Sequence, residues 1–301
     1  MSTAEEAAAR ASASKGKGMA LIFGAALCYG TNAPYAREAS FGGVRGPDIA
    51  ALRVFIALAL IAAAAWSTRT PLGIARRERA KLIGLGIASA LVGICYLSSV
   101  AFIPVGVAVM IFYTYPTLVL LLSPLIDGTR LRPLTLVVFA LAFAGIALAV
   151  GPSFQSLDWR GLTLATLASG AATAQMFFAA RAPGGGGLAT MFWVQVIILP
   201  VALLIAASTG RLPTPAAFAA AWWPSAMTIL LYLFGFAFQI RGARLIPAAL
   251  IGLISCFEPV TATLAAAWLL DERLGLAQYA GSALVIAAVA LNILSDRTRE
   301  I

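Results

Sequence analysis

One acidic residue lies apart from the others in this sequence, because it sits deep inside an apolar run. Glu258 precedes Pro259 near the middle of the run from Pro247 to Leu270. A carboxylate is costly at such depth in a bilayer, so it marks a place where a proton or a cationic group of a ligand can bind. The alternative is that a structural partner holds Glu258 inside the fold.

A second proline occupies the corresponding place in an earlier apolar run. Pro116 follows Tyr115 there, as Pro259 follows Glu258. Each proline removes one helical hydrogen bond and clashes with the carbonyl four residues back, here that of Phe112 or Ser255. In a membrane, freed carbonyls must face protein or a wet cavity. We therefore predict that Pro116 and Pro259 are hinge or gating residues; alternatively, they only bend their helices.

Polar and aromatic-polar side chains are concentrated in a subset of the apolar runs. Such side chains avoid lipid and turn toward the interior of a helical bundle. Arg53, about five residues into its run, is expected to snorkel outward or to pair with a carbonyl or an acid. The candidate substrate-binding residues are Tyr29, Asn32, Tyr96, Tyr113, Tyr115, Gln175, Tyr232, Gln239 and Glu258.

Enzyme chemistry finds little support in the residue types. The chain has no histidine, which removes the commonest metal ligand and proton shuttle. Cys28, Cys95 and Cys256 are isolated in apolar runs and indicate neither a metal site nor a disulfide framework. The glycine run at 183–187 lacks the pattern of a nucleotide-binding P-loop. We expect no catalytic residues, no metal and no cofactor.

The composition indicates an all-α polytopic membrane protein. Of 301 residues, 61% are hydrophobic and 11% charged, whereas soluble domains have about 25% charged residues. A span needs about 20 apolar residues, so this length accommodates ten. The ten predicted transmembrane helices are Met19–Arg37, Asp48–Trp66, Leu82–Phe102, Val105–Ile126, Pro133–Val150, Gly161–Ala180, Leu188–Ala207, Trp222–Ile240, Pro247–Leu270 and Leu276–Leu294.

The distribution of the basic residues predicts the orientation. The formal net charge is +9, but Lys and Arg cluster in loops and do not form the basic face that nucleic-acid binding needs. Most of them fall on the side of the N-terminus, so the positive-inside rule places both termini in the cytoplasm. Residues 1–18 and 295–301 are then cytoplasmic tails; a signal peptide over 1–36 is the weaker alternative for the N-terminal region.

The sequence contains an internal repeat. The shift that places Pro116 on Pro259, hereafter the repeat offset, also places Arg130 on Arg273. The predicted repeats are residues 19–151 and 161–294, with five helices each. Because five is odd, the second repeat enters the membrane from the opposite side. Inverted repeats are typical of transporters that alternate access around a site at the repeat interface; duplication without transport is the alternative.

The repeated segments resemble the EamA family of the drug/metabolite transporter superfamily. The matching stretches in the second repeat are 244–259 and 268–274, which include Glu258-Pro259 and Asp271-Glu272-Arg273. The first repeat carries a weaker form at 102–116 and 126–131. In the general character of its sequence the chain most resembles bacterial aromatic amino acid exporters.

This resemblance implies an architecture and a direction of transport. It implies ten spans in two inverted five-helix repeats, a cavity lined mainly by spans 1, 3, 4, 6, 8 and 9, and export across the bacterial inner membrane. The first repeat has Tyr115 where the second has Glu258, so any role of that acid is confined to one half.

The residue inventory is compatible with several substrates. A zwitterionic aromatic or other neutral amino acid suits one deep carboxylate, aromatic walls and the backbone N–H groups of a broken helix. An organic cation or drug fits nearly as well, and a non-carrier pore is a further alternative. A nucleotide sugar fits poorly, because no cluster of deep arginines awaits its phosphates. The expected partners are thus a small molecule and the lipid bilayer, with no nucleic acid.

Overall fold

The computed structural model describes residues 3–44, 46–99, 102–103, 105–128, 132–151, 157–182, 187–208, 214–271 and 273–297. Pro104, Arg130, Glu272, residues 183–186 of the glycine run and residues 298–301 of the C-terminal tail lie outside them. The helices of the described chain are α1 (Thr3–Phe41), α2 (Gly46–Ser67), α3 (Arg79–Ser99), α4 (Val105–Phe112), α5 (Tyr115–Asp127), α6 (Pro133–Val150), α7 (Trp159–Ala180), α8 (Leu188–Ser208), α9 (Pro215–Ala220), α10 (Trp222–Gly242), α11 (Ala248–Ser255), α12 (Phe257–Leu269) and α13 (Leu276–Arg297).

Short-range signals set several of the helix ends. The Asp158 side chain caps α7 by accepting a hydrogen bond of 2.8 Å from the backbone N–H of Arg160, and the Arg160 guanidinium also lowers the pKa of that carboxyl group. Gly128 and Gly151 end α5 and α6 with positive φ angles of 68° and 58°, which glycine adopts without steric cost.

Eight stretches of the described chain are long and apolar enough to cross a membrane. They coincide with α2, α3, α6, α7, α8, α10 and the pairs α4–α5 and α11–α12. A shorter apolar stretch, Leu276–Asn292, lies in α13. The predicted first span is part of α1, whose apolar residues are interrupted by Tyr29, Thr31 and Asn32. An all-helical membrane fold is thus confirmed, whereas the count of ten stays a prediction.

The N-terminal segment, predicted as a cytoplasmic tail, is helical in the part that the structure describes. The helix α1 begins at Thr3 and continues through Met19 without interruption. Alanine, glutamate and lysine, which are abundant before Met19, are strong helix formers, so helix propensity prevails here. Thirty-nine residues in one helix span about 58 Å. Since a bilayer core is about 30 Å thick, the first turns extend beyond a bilayer-spanning bundle.

The internal repeat recurs in the helix boundaries. Shifting α3 by the repeat offset gives the bounds of α10, and shifting α4 gives those of α11. The contacts repeat in the same way, because α1 packs along α10 and its counterpart α7 packs along α3. Each half thus contributes equivalent helices to one shared bundle.

The last helices of the two halves, α6 and α13, pack along each other. Gly145 of α6 faces Gly281 of α13, and a Cβ atom on Gly145 would lie 2.8 Å from the Gly281 carbonyl oxygen. Small residues permit such close contact between membrane helices. The contact between Gly145 and Gly281 is of this kind. It joins the two halves away from the polar interior.

Candidate functional site

A cavity of about 730 Å³ lies between the two halves of the bundle. Every candidate substrate-binding residue predicted from the sequence lines it, and so does Pro259. Pro116 does not, since it packs beside Gly252 of α11. The lining also includes residues of α2, α6 and α8, so the wall involves more helices than the family resemblance implies. The candidates on the wall are Tyr29, Asn32, Tyr96, Tyr113, Tyr115, Gln175, Tyr232, Gln239 and Glu258.

Both proline-containing spans are broken where the sequence predicts an interruption. The first ends as α4 at Phe112 and resumes as α5 at Tyr115; the second ends as α11 at Ser255 and resumes as α12 at Phe257. Each proline occupies the first turns of the resumed helix, where its missing N–H group is tolerated. At the breaks, Thr114 and Cys256 keep right-handed helical φ and ψ angles, and the first turn of α12 lies in the middle of the bundle.

Glu258 lies in that first turn of α12, on the cavity wall. Tyr113, at the break of the other half, lines the same cavity. A carboxylate near a helix N-terminus is favoured by the unpaired backbone N–H groups there. The two broken helices therefore place an acid of one repeat and a phenol of the other on the wall of one cavity.

An aromatic cluster continues from Tyr113 along the wall. The ring centroid of Phe112 lies 5.1 Å from that of Tyr96 and 5.3 Å from those of Tyr113 and Tyr115. Such separations are typical of favourable edge and offset ring contacts. These rings form an aromatic wall beside the only carboxylate among the described lining residues.

Near the other end of the cavity, polar side chains connect the helices. The Tyr29 hydroxyl donates a hydrogen bond of 2.9 Å to Oε1 of Gln239, and Nε2 of Gln239 lies 3.9 Å from the sulfur of Met176. Gln175 donates to Ser89 Oγ at 2.9 Å. These contacts join α1 to α10 and α7 to α3, the two equivalent helix pairs.

Two other candidates are occupied by structural hydrogen bonds. Asn32 Nδ2 donates to the carbonyl oxygen of Thr228 at 2.5 Å. The Tyr232 hydroxyl lies 3.1 Å from the side-chain amide of Gln195, a fully buried residue of α8 that we did not predict. A lone glutamine within the apolar run of α8 is the sequence signal that points to it.

Arg53 is the main residue that the sequence analysis placed wrongly. It lines the cavity instead of snorkelling away, and its guanidinium carbon lies 4.4 Å from the centroid of the Tyr232 ring. Tyr232 in turn stacks on Phe236, with centroids 6.1 Å apart. The length of an arginine allows it to reach inward or outward from the same helix position, and here packing against α10 directs it inward.

The cavity has different helix packing at its two ends. Its mouth is lined by Arg37, Leu270 and Gln278, on the side where α1 and α12 end. Beneath it α5 packs against α11, and a Cβ atom on Gly252 would lie 3.1 Å from Pro116 Cα. The counterparts of these two helices, α4 and α12, face each other across the open cavity without extensive packing.

Polar contacts beyond the lining complete the closed end. The Arg181 guanidinium, at the end of α7, pairs with the Asp127 carboxylate at the end of α5 and donates to the Ile126 carbonyl oxygen at 3.2 Å. Arg244 donates to the carbonyl oxygen of Ala182. None of these residues lines the cavity. These contacts hold the helix ends together at the end of the bundle opposite the mouth.

Comparison with known proteins agrees with this architecture. The profile of the EamA-like transporter family matches residues 16–151 and again residues 159–294. A protein of known crystal structure is 21% identical in sequence and shares the fold with a TM-score of 0.74, over 93% of this chain and 98% of that one. No curated protein sequence matches the chain. With both halves matched, the chain belongs to the EamA-like transporter family, and it is a membrane transporter of the drug/metabolite type.

Proposed function

We propose that this transporter exports amino acids, namely aromatic and other neutral ones, by alternating access around the central cavity. The observation that carries the proposal is the pairing of Glu258 with the aromatic wall of Tyr96, Phe112 and Tyr113. A carboxylate can bind the substrate ammonium, and aromatic faces attract both that cation and an aromatic side chain.

The dimensions of the site support a substrate of this class. A cavity of about 730 Å³ is within the usual range of 300–1,000 Å³ for small-molecule sites. It has room for a single amino acid with bound water. The closed end supports a carrier over a pore, because a continuous pore requires both ends to be open together.

The same proposal includes the topology. We infer ten spans, with residues 19–37 of α1 as the first and α13 as the tenth, in the inner membrane of a bacterium with both termini in the cytoplasm. The excess of Lys and Arg on the N-terminal side supports this orientation. The open end of the cavity then faces outward. The repeats 19–151 and 161–294 are inverted in this arrangement.

An organic cation is the second candidate substrate. Glu258 and the surrounding aromatic rings would bind a lipophilic cation by the same ion-pair and cation–π contacts. A distinction between the two candidates therefore depends on whether the site also recognises a carboxylate.

Reconstitution into proteoliposomes tests the function. We expect preloaded phenylalanine, tyrosine or leucine to drive counterflow of the labelled amino acid, with saturation and without single-channel currents. A matched preparation of Glu258→Gln should show reduced counterflow at equal protein content. Counterflow of lipophilic cations but of no amino acid would favour the second candidate, and ohmic currents would contradict a carrier.

A further inference from the structure

The cavity contains a cationic pole as well as an acidic one. Arg53 reaches it from α2 and lies over the Tyr232 ring. Its Nε atom is buried and has no hydrogen-bond partner among the described residues. Arg53 and Glu258 line the same cavity without forming an ion pair with each other, so each retains capacity to bind a ligand.

The two charges lie at similar depth below the mouth. Tyr232 is ten residues into α10, about 15 Å from the open side at 1.5 Å per residue, and the guanidinium lies at its ring. Glu258 is eleven residues from the end of α12, about 17 Å from that side. Tyr29 of α1 lines the cavity together with Arg53 and Glu258.

We infer that Arg53 binds the carboxylate of the substrate while Glu258 binds its ammonium, so that the cavity selects zwitterions over singly charged analogues. This inference rests on the proposed function and adds the residue that determines the substrate class. An arginine fork can donate two parallel hydrogen bonds to a carboxylate. The guanidinium lies over the Tyr232 ring, and its unpartnered Nε is a donor that a ligand can use.

Charge balance gives the same selectivity. An amino acid at this site compensates both poles and adds no net charge to the interior. An amine without a carboxylate leaves Arg53 uncompensated, and a carboxylic acid without an amine leaves Glu258 uncompensated. Since an unpaired buried charge is strongly unfavourable, either analogue binds more weakly than the zwitterion.

The test compares ligands that differ by one charged group. Binding of L-phenylalanine, 2-phenylethylamine and 3-phenylpropanoate is measured by calorimetry on the purified full-length protein in nanodiscs. In Arg53→Gln, loss of a charge-assisted bond should weaken phenylalanine binding about 10–100-fold, whereas phenylethylamine should change by less than about 3-fold. Arg69→Gln, an exposed change beyond the far end of α2, is the matched control and should leave all three ligands unaffected.

A second variant keeps the test valid if Arg53→Gln does not fold. Arg53→Lys retains the charge but loses the planar fork, so phenylalanine affinity should fall by an intermediate factor with phenylethylamine unchanged. If Arg53→Gln or Arg53→Lys binds phenylalanine as tightly as wild type, or if phenylalanine and phenylethylamine weaken equally, the assignment of Arg53 is wrong. If the wild-type protein does not bind L-phenylalanine, the only zwitterion among the three ligands, the proposed function itself fails.

Discussion

The phenol of Tyr29 donates a hydrogen bond of 2.9 Å to the side-chain oxygen of Gln239, and this bond joins the first helix of one repeat to α10 of the other. Beside it, Gln239 contacts Met176 of α7. Three helices thus meet just above the closed end, where an alternating-access exporter must separate them to admit its cargo from the N-terminal side.

Removal of this bond should loosen the closed end. In Tyr29→Phe the buried Gln239 loses its donor, at a cost of about 0.5–1.5 kcal/mol. We expect a cysteine at Ala179, buried below the cavity, to react about 2–10-fold faster with an impermeant thiol reagent in inside-out vesicles. The native cysteines are first replaced. Tyr35→Phe, on the same helix but outside the lining, is the control; equal labelling in both variants would show that the bond does not hold the end closed.

The ion pair between Asp127 and Arg181 should also help to hold the N-terminal end of the bundle closed. Both side chains are partly exposed, and such pairs contribute at most about 1 kcal/mol. Asp127→Asn should therefore raise labelling at Ala179 by no more than about 5-fold. The exchange Asp127→Arg with Arg181→Asp should restore the wild-type rate. If the single and the exchanged variants label alike, electrostatic attraction between α5 and α7 is not the cause.

The prolines at the two breaks should set the rate of turnover more than the affinity. Pro259→Ala permits a continuous helix from α11 to α12, which stiffens the element that carries Glu258. We expect slower counterflow at saturating substrate with less than about a 3-fold change in Kd. Pro124→Ala, inside α5 and away from its break, is the matched control. A Pro259→Ala variant that turns over at the wild-type rate would leave that proline a purely structural role.

The aromatic wall should discriminate among side chains. Tyr96→Ala removes a ring that contacts Phe112, and one such contact contributes about 0.5–1.5 kcal/mol. Phenylalanine should bind several-fold more weakly, whereas leucine should be affected less. Tyr279→Ala, on the exposed face of α13, controls for loss of a tyrosine. Unchanged affinity for phenylalanine would exclude Tyr96 from the substrate contact.

Charged loops test the proposed orientation. Arg77 precedes α3, and Arg160 lies in the first turn of α7, so the ten-span arrangement puts them on opposite sides. In intact cells a cysteine at Arg160 should react with an impermeant reagent and one at Arg77 should react only after the cells are opened. Labelling at Arg77 from outside would overturn the arrangement.

The location of the cavity follows from the sequence because the bilayer penalises polar groups. Tyr113, Gln175 and Glu258 had one way to avoid lipid, which was to turn inward. The helix breaks follow equally directly, since proline cannot continue the hydrogen bonding of α4 or α11. These inferences need only the chemistry of one residue and its depth in a span.

The direction of the Arg53 side chain could not be predicted from the residue type and its depth in the span. Its helix position is compatible with a side chain that reaches outward to the interface or inward to Tyr232, and the choice depends on how α2 packs against α10. Which end of the cavity is open also escapes the sequence. The two repeats have matching helices, so the choice depends on small differences between their contacts, such as the one at Gly252.

The contact between Asp127 and Arg181 has no mirror image in the other repeat. Under the repeat offset, Asp127 corresponds to Leu270 and Arg181 to Glu38. When the bundle closes at its present mouth, an aliphatic side chain and an acid therefore occupy the places held here by an acid and a base. The state closed at the N-terminal side and the state closed at the present mouth thus differ in free energy. This difference determines which conformation the unloaded protein favours between transport cycles. The chemical gradients still determine which way net flux runs, so this asymmetry acts on the pace of the cycle and not on its direction.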